Sequence, residues 1–313
     1  MQLKILYGPL YSRRLGVSVG IDIIPYKTCS YNCVYCHEGE TTHLTRSRQC
    51  FFEPQKVLET LSSLAGQKQL RSLDIDFLTF AGSGEPTLNR DLGRYIRYLK
   101  AISPVPVAVI TNSSLLWDEQ VRKDLSPADL VVPSLDAASS AVFNQVNRPS
   151  ENLPLDRIIQ GIREFCSEFA GRIWLEILLC RNINDSEAEL QRLAGVISTL
   201  ELDKIQINTV SRPPALDDVH PVPPETLHRF QELLGGQGEI VEDGGHLIRK
   251  TVEKELEKAI LTCLNYKPGN LHTLTKELKK SGQEIIKVLA RLEKEGAVQR
   301  FIRDKTSFYR IVR

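Results

Sequence analysis

The chain has 313 residues, of which 42% are hydrophobic and 25% are charged, and its formal net charge is +1. These are the proportions of a soluble globular protein. No apolar run approaches the roughly 18 residues of a membrane span, and no apolar stretch of signal-peptide length follows the basic residues near the N-terminus. We therefore expect a cytoplasmic protein, in which clustered cysteines point to a metal or redox chemistry rather than to disulfides.

Between residues 19 and 210, short β-branched or apolar runs alternate with segments of helical period. The strand candidates are residues 19–24, 73–80, 105–111, 130–134, 173–179 and 204–210. Helical patterns lie between them, including one with Pro54 in its first turn and one over residues 155–170. This order predicts an α/β protein with a mostly parallel sheet and right-handed crossovers. In such sheets ligands bind at the carboxyl ends of the strands.

The sequence changes character after residue 210. Residues 211–225 contain five of the sixteen prolines, which favours an ordered loop or cover over a helix. Further on, the pattern predicts three helices, roughly 252–265, 271–280 and 282–295, and two strands, 297–303 and 307–313, with a turn at Asp304–Lys305. That order is typical of a winged helix-turn-helix.

The charge is divided unevenly along the chain. Residues 251–313 contain 14 Lys and Arg against 8 Asp and Glu, a net charge of +6, and the remaining residues have a net charge of −5. Such an asymmetry indicates two domains with different partners. We expect one domain over residues 1–245 and a second over residues 252–313.

Three of the seven cysteines lie within eight residues, on the loop after the first predicted strand. Cys29, Cys33 and Cys36 have the spacing C-x3-C-x2-C, which is one thiol too few for a closed tetrahedral site. A zinc site completed by His37 or His43 is one interpretation. The other is an iron–sulfur cubane, whose four irons would leave one iron open to a different ligand.

Other predicted strands end in small or polar residues. FAGSGEP follows the second strand, and its two glycines let the backbone approach a ligand closely. The segments ITNSS (110–114) and PSLDA (133–137) end the next two strands with short hydroxyl, amide and carboxylate side chains, which are suited to hydrogen bonds with a ligand. Glu176, inside the fifth strand, points either toward that ligand or outward.

These motifs resemble the radical S-adenosylmethionine superfamily. The likeness is closer to an iron–sulfur oxidoreductase subgroup near the wyosine tRNA-base synthases, which shares GPLYSRRLGVSVGIDIIPYKTCSYNCVYC, GSGEPTL and RPP. It covers roughly residues 7–245. The resemblance implies a partial (β/α)6 barrel whose [4Fe–4S] cluster cleaves S-adenosylmethionine to a 5′-deoxyadenosyl radical, which abstracts hydrogen from a substrate. It also implies an external electron donor such as flavodoxin or ferredoxin.

The resemblance assigns roles to individual residues. Cys29, Cys33 and Cys36 would hold the cluster, and the amino and carboxylate groups of S-adenosylmethionine would chelate the open iron. Ser83 stands where a glycine is commoner in the family's glycine–glycine–glutamate motif. The expected contacts of S-adenosylmethionine are Tyr35 near the adenine, Gly82, Ser83, Gly84 and Glu85 at the methionine ammonium, and Asn112, Ser134 and Asp136 at the ribose hydroxyls or the carboxylate.

The substrate is less clearly indicated. Arg13, Arg14 and Arg212 are candidates for a role near the cluster or an anionic substrate, and Cys180 ends the fifth strand near the expected site. The sequence favours RNA slightly, with a protein, a peptide or a small metabolite as alternatives. A cluster-based redox regulator that binds DNA is the alternative of another class.

The predicted winged helix has its basic excess mainly in the wing. It is expected to contact nucleic acid through phosphates, to dock a peptide, or to bind another subunit. The wing residues in question are Arg300, Arg303, Lys305, Arg310 and Arg313.

Overall fold

The computed structural model describes residues 3–12, 14–66, 75–241, 256–264, 268–278, 280, 282–303 and 306–312. The chain divides into two units, Met1–Glu242 and Asp243–Arg313. Arg13, Arg313 and the predicted turn at Asp304–Lys305 lie outside the described residues. Within the described ranges, no helix combines the length and the apolar character that crossing a membrane requires.

The described part of the first unit contains an eight-stranded sheet and a separate two-stranded pair. The strands are β1 (Leu6–Ser12), β2 (Gly16–Ile21), β3 (Thr28–Cys29), β4 (His43–Leu44), β5 (Phe77–Phe80), β6 (Val107–Thr111), β7 (Leu130–Pro133), β8 (Arg172–Leu179), β9 (Lys204–Thr209) and β10 (Gly238–Ile240). The large sheet has the order β1, β2, β5, β6, β7, β8, β9, β10, and β3 pairs with β4.

All neighbours in the large sheet are parallel except β1 and β2, which are antiparallel. The predicted α/β class and mostly parallel sheet are therefore confirmed, and β2 and β5 to β9 correspond to the six strand candidates. The first candidate was placed three residues too late. β2 begins at Gly16 because that residue pairs with Ser12 of β1, a strand that the sequence analysis did not predict.

Helices lie between the parallel strands. They are α1 (Pro54–Gly66), α2 (Leu92–Ile102), α3 (Glu119–Leu125), α4 (Ser140–Val146), α5 (Leu155–Glu168), α6 (Glu187–Ile197) and α7 (Pro224–Leu233). The apolar stripe of α5 is buried, including Ile158, Ile162 and Phe165, and each such side chain contributes roughly 1.5–3 kcal/mol by leaving water. The Pro-rich segment is irregular up to Pro223, and Pro224 begins α7, as proline does at the first position of many helices.

The second unit contains three described helical segments and a three-stranded sheet. Residues 256–264 form α8, and they are followed by β11 (Gly269–Asn270), α9 (Leu271–Leu278), α10 (Gly282–Lys294), β12 (Val298–Arg303) and β13 (Thr306–Ile311). The sheet order is β11, β13, β12, with antiparallel neighbours. The second unit has an apolar core of its own, which buries Ile260, Leu274, Leu289 and Val298.

Candidate functional site

A cavity of about 640 Å3 lies at the carboxyl ends of the parallel strands in the first unit. It is bordered by the end of β2, by the cysteine loop that follows, and by the segments that end β5 to β9. Its wall contains most of the predicted site residues: Arg14, Cys29, Cys33, Tyr35, Cys36, Gly82, Ser83, Gly84, Glu85, Asn112, Ser134, Asp136, Glu176 and Arg212. Cys180 is fully buried and does not line the cavity.

The cysteine loop is closed by the short pairing of β3 with β4. The backbone N–H of His43 donates to Lys27 O (3.0 Å), and that of Thr45 donates to Cys29 O (2.8 Å). Lys27 and Gly39 both have positive φ angles, of 61° and 86°, and the Lys27 ammonium donates to Gly39 O. A buried lysine thereby ties the two ends of the loop that carries the three cysteines.

The end of α4 supports the same loop. Val34 N donates to Val146 O (3.0 Å), and Asn32 N donates to Asn147 O (3.1 Å). The Asn147 side chain also reaches the loop, because its Nδ2 lies 3.5 Å from Cys33 Sγ. Sequence reasoning missed Asn147, since an asparagine at a helix end is usually a cap and no local signal links it to a cysteine more than a hundred residues earlier.

The Asn112 side chain is hydrogen-bonded to the cysteine loop. Its Nδ2 donates to Ser30 Oγ at 2.9 Å and to Cys29 Sγ at 3.4 Å. Its Oδ1 accepts from Ser114 N at 3.0 Å. The side chain lines the cavity but is engaged with the cysteine loop. Its Oδ1 accepts this one hydrogen bond and keeps a second lone pair, so a ribose hydroxyl could still donate to it without replacing these contacts.

The GSGEP segment is held by an acidic residue that the sequence analysis did not single out. Asp22 follows β2, and its Oδ2 accepts from Ser83 N (2.9 Å) and from Ser83 Oγ (2.6 Å). This gives a reason for serine at position 83, where the hydroxyl adds a second bond to the carboxylate. A Cβ at Gly84 would lie 1.8 Å from Thr28 O, so this glycine is required by close backbone packing against the cysteine loop.

The Glu85 carboxylate is 2% exposed and receives four hydrogen bonds from the protein. Its Oε1 accepts from Thr87 N (3.0 Å), Thr87 Oγ1 (2.6 Å) and Thr111 Oγ1 (2.7 Å), and its Oε2 accepts from Asn112 N (2.7 Å). Burial raises the pKa of Glu85, and these hydrogen bonds oppose that rise. The carboxylate thus joins the end of β5 to the end of β6.

Asp136 is at the centre of a buried hydrogen-bond network. Its Oδ2 accepts from the Tyr35 hydroxyl and from Asn147 Nδ2 (2.8 Å), and its Oδ1 accepts from Leu178 N (2.9 Å). Burial raises the pKa of Asp136 to about 6, although the three donors favour the ionised form. By contrast, no hydrogen bond within the described residues occupies the Ser134 hydroxyl, which remains available to a ligand.

Charged groups line the β8 and β9 side of the cavity. Glu176 points inward, which answers the question left open by the sequence. It accepts from Arg14 Nη1 and from Asn208 Nδ2 (3.1 Å). Arg212 is exposed on the cavity wall, and within the described part of the chain no hydrogen bond or ion pair engages it.

The donor set fits an iron–sulfur cluster. Burial raises the pKa of the Cys29 thiol to about 12 and that of Cys33 well above its usual range, so cationic iron would be needed to stabilise the thiolates. Among the described residues, no three His, Cys, Asp or Glu side chains are grouped as a single metal ion requires. His43 is exposed and does not line the cavity. His37, the other candidate for a fourth zinc ligand, lines the cavity together with the three thiols.

Comparisons with known proteins identify the family of this chain. A family model described as the radical SAM superfamily matches residues 23–194. A UPF0026 protein of Methanocaldococcus jannaschii is 35% identical over 237 residues, which are 74% of this chain and 73% of that protein. A Brachyspira hyodysenteriae protein named GTPase Obg is 33% identical over 302 residues, or 96% of this chain, but the chain spans only 44% of its length.

The fold is also similar to a solved structure. The crystal structure of a radical SAM methyltransferase from Sphaerobacter thermophilus matches with a TM-score of 0.52 and 17% sequence identity. The match covers 71% of this chain and 65% of that chain. At this identity the likeness concerns the fold alone.

Proposed function

The chain belongs to the radical SAM superfamily and is a radical SAM enzyme, and we propose that Cys29, Cys33 and Cys36 hold its [4Fe–4S] cluster. Proteins of this family bind such a cluster together with S-adenosylmethionine. A cluster held by these three thiolates would supply, once reduced, the electron for cleavage of the sulfonium to a 5′-deoxyadenosyl radical. The observation that carries the assignment is that all three thiols line one cavity with the segments that end β5 to β9.

We further propose that S-adenosylmethionine lies across these strand ends in a partial (β/α)6 barrel. Because the Glu85 carboxylate already has four donors, we expect the methionine ammonium to meet the backbone of Gly82–Gly84 instead. The unoccupied hydroxyl of Ser134 is suited to a ribose or carboxylate contact, and the ring of Tyr35 is suited to the adenine. The side chains of Ser83, Glu85, Asn112 and Asp136 would then shape the site more than bind the ligand.

The substrate is proposed to enter on the side of Arg14 and Arg212. Glu176 fixes one edge of the Arg14 guanidinium, which leaves other N–H groups for an anion, and a guanidinium can bind phosphate or carboxylate with two parallel bonds. This favours an anionic substrate and is compatible with RNA. A protein, a peptide or a small metabolite with an anionic group fits the same surface.

We infer that the second unit is a winged helix-turn-helix. The order of α8, β11, α9, α10, β12 and β13 supports this, with the last two strands as the wing. Two of its basic residues have partners within the unit: Arg300 pairs with Glu293 at 3.4 Å, and Arg310 donates to Gln299. Glu293 offsets the charge of Arg300, whereas Gln299 is neutral and only orients Arg310. Peptide or subunit docking is therefore as suitable a role as binding of nucleic acid.

Two other functions receive less support. A redox regulator that binds DNA would need no S-adenosylmethionine site, whereas this cavity is built from five strand ends around the cysteines. A GTPase activity, as in the name of the Brachyspira hyodysenteriae relative, would require a phosphate-binding loop. The motif G-x4-G-K-S/T does not occur in this sequence.

The test compares the wild type with the variants Cys33→Ala and Cys50→Ala, all purified without oxygen. Cys50 is exposed and lies outside the cavity wall, so its variant is the matched control. We expect the wild type and Cys50→Ala to show a visible band that dithionite bleaches, and to form 5′-deoxyadenosine from S-adenosylmethionine. Cys33→Ala should lack both. Full iron content and normal cleavage in Cys33→Ala would refute the ligand assignment.

Two further measurements separate the alternatives. Adding S-adenosylmethionine should change the EPR spectrum of the reduced cluster, because one iron is open to it; an unchanged spectrum would favour the regulator. Analysis of molecules that copurify with the anaerobic protein should then identify the substrate class as RNA, peptide or metabolite.

A further inference from the structure

Two of the three cysteine sulfurs have an asparagine side-chain amide beside them. Asn112 Nδ2 lies 3.4 Å from Cys29 Sγ, and Asn147 Nδ2 lies 3.5 Å from Cys33 Sγ. These are distances for an N–H donor to sulfur. The two asparagines come from different elements, one from the segment after β6 and one from the end of α4, so the arrangement does not follow from a single local motif.

The amide of Asn147 is held in one orientation by its surroundings. One N–H donates to Asp136 Oδ2 at 2.8 Å, and the other is directed at Cys33. Asp136 is itself fixed by Leu178 N and by the Tyr35 hydroxyl. An ionised carboxylate accepts hydrogen bonds and never donates them. The Asn147 amide must therefore turn its nitrogen, and not its oxygen, toward Asp136. The hydrogen bond to sulfur is therefore built into the network.

The amide of Asn112 is oriented in a comparable way. Its Oδ1 accepts from Ser114 N at 3.0 Å, and its Nδ2 donates to Ser30 Oγ at 2.9 Å. The backbone N–H of Asn112 is bound by Glu85 at 2.7 Å. With the oxygen already bonded to Ser114, the nitrogen must face the cysteine loop. Asn112 is half-buried, and its several partners together hold the amide in this orientation.

We propose that Asn112 and Asn147 set the reduction potential of the cluster by donating hydrogen bonds to two of its cysteine ligands. This inference rests on the proposed role of Cys29 and Cys33. Reduction adds negative charge to the cluster and its sulfur ligands, so a donor to sulfur stabilises the reduced state more than the oxidised state. Hydrogen bonds to the sulfurs are among the factors that determine the potentials of iron–sulfur clusters.

The experiment is an EPR-monitored redox titration of the cluster-loaded protein without S-adenosylmethionine. The variants are Asn147→Leu and Asn112→Leu, which keep a similar volume and remove the donor. The control is Asn144→Leu. Asn144 lies in α4, the helix that ends just before Asn147, and its side chain is exposed and does not line the cavity. Iron and sulfide content are measured for each protein.

Each of the two variants is expected to have a more negative midpoint potential than the wild type. A tenfold loss in the ratio of reduced to oxidised cluster at a fixed potential corresponds to about 59 mV for one electron, and we expect a shift of that order. Asn144→Leu should titrate as the wild type does. Unshifted midpoints in both variants, with full iron content, would overturn the proposal.

A measurement on the wild type covers the case in which the variants fail to bind iron. Protein labelled with 15N in the asparagine side-chain amides is reduced and studied by pulsed EPR. A 15N coupling to the cluster is expected, and its absence would overturn the proposal. Absence of any iron–sulfur cluster from the wild type would instead refute the proposed function, so the two failures are distinguishable.

Discussion

Replacing Gly84 by alanine is expected to displace the cysteine loop. A Cβ at this position would lie 1.8 Å from Thr28 O and 2.6 Å from Ile24 Cγ2. Non-bonded atoms pack favourably at about 3.5–4.0 Å, so the backbone of Thr28, next to Cys29, would have to move by more than ~1 Å. Overpacking of this kind typically costs about 1–3 kcal/mol. We expect a value near the upper end, because the obstructing atom belongs to the backbone.

The matched control is Gly195→Ala in α6. No heavy atom lies within 4 Å of a Cβ built at Gly195, and alanine is favoured over glycine inside a helix by about 0.5–1 kcal/mol. Urea unfolding can be followed by tryptophan fluorescence, since Trp117 and Trp174, the two tryptophans of the chain, both belong to the first unit. We expect Gly195→Ala to be the most stable, the wild type to be intermediate and Gly84→Ala to be the least stable. Gly84→Ala should also lose its iron. Wild-type stability and iron content in Gly84→Ala would refute the reasoning.

Three other predictions concern buried groups. Burial raises the pKa of Asp136 from its usual 3.8 to about 6, so the stability contributed by its proton is complete below about pH 4 and is lost as the pH rises through about 6. At 1.36 kcal/mol per pKa unit, this raised pKa corresponds to roughly 3 kcal/mol of stability. The unfolding free energies of the cluster-free wild type and of Asp136→Asn are compared, and the difference between them should change by that amount from pH 4 to pH 8. A difference that stays constant with pH would contradict the prediction. Arg48→Ala should cost about 3 kcal/mol in urea unfolding, because it leaves Asp124 without its buried partner; a loss below about 0.5 kcal/mol, as for an ordinary surface substitution, would show that the pair is not structural. A maleimide at pH 7 should label exposed Cys50 and spare Cys180, which is fully buried; labelling of Cys180 in the folded protein, read by mass spectrometry, would place it on the cavity after all.

Much of the fold was predictable from the sequence, because parallel strands that are buried on both faces consist of continuous apolar runs. The location of the site was predictable for a related reason, since the carboxyl ends of parallel strands lie at the same edge of the sheet. This geometry predicts that residues as far apart in the chain as Ser83, Asn112 and Asp136 lie beside one cavity. The exceptions were β1 and β10, the two edge strands of the large sheet, and the two-residue strands β3, β4 and β11.

The partners of the polar side chains could not be predicted in the same way. Asn112 was expected to meet a ligand and is bonded to Ser30, 82 residues earlier in the chain. Glu85 was expected at an ammonium and is bonded to Thr111. A motif identifies which residues are near the site, but the atom that each one bonds depends on distances of a few tenths of an ångström between distant segments. Asp22 and Asn147 were missed for the same reason.

The two sides of the cavity differ in how their polar groups are used. On the side of the cysteines, the carboxylates of Asp22, Glu85 and Asp136 all accept hydrogen bonds from the protein. Glu85 and Asp136 are buried, where a charge without partners would destabilise the fold. On the opposite side, Arg14 is anchored at one edge and Arg212 has no partner among the described residues. A rigid first side suits the proposed generation of a radical, which needs a fixed geometry, whereas free guanidinium donors suit the proposed recognition of an anionic substrate. Substrate preference should therefore depend on the arginine side, and substitutions there should leave the cluster and its potential intact.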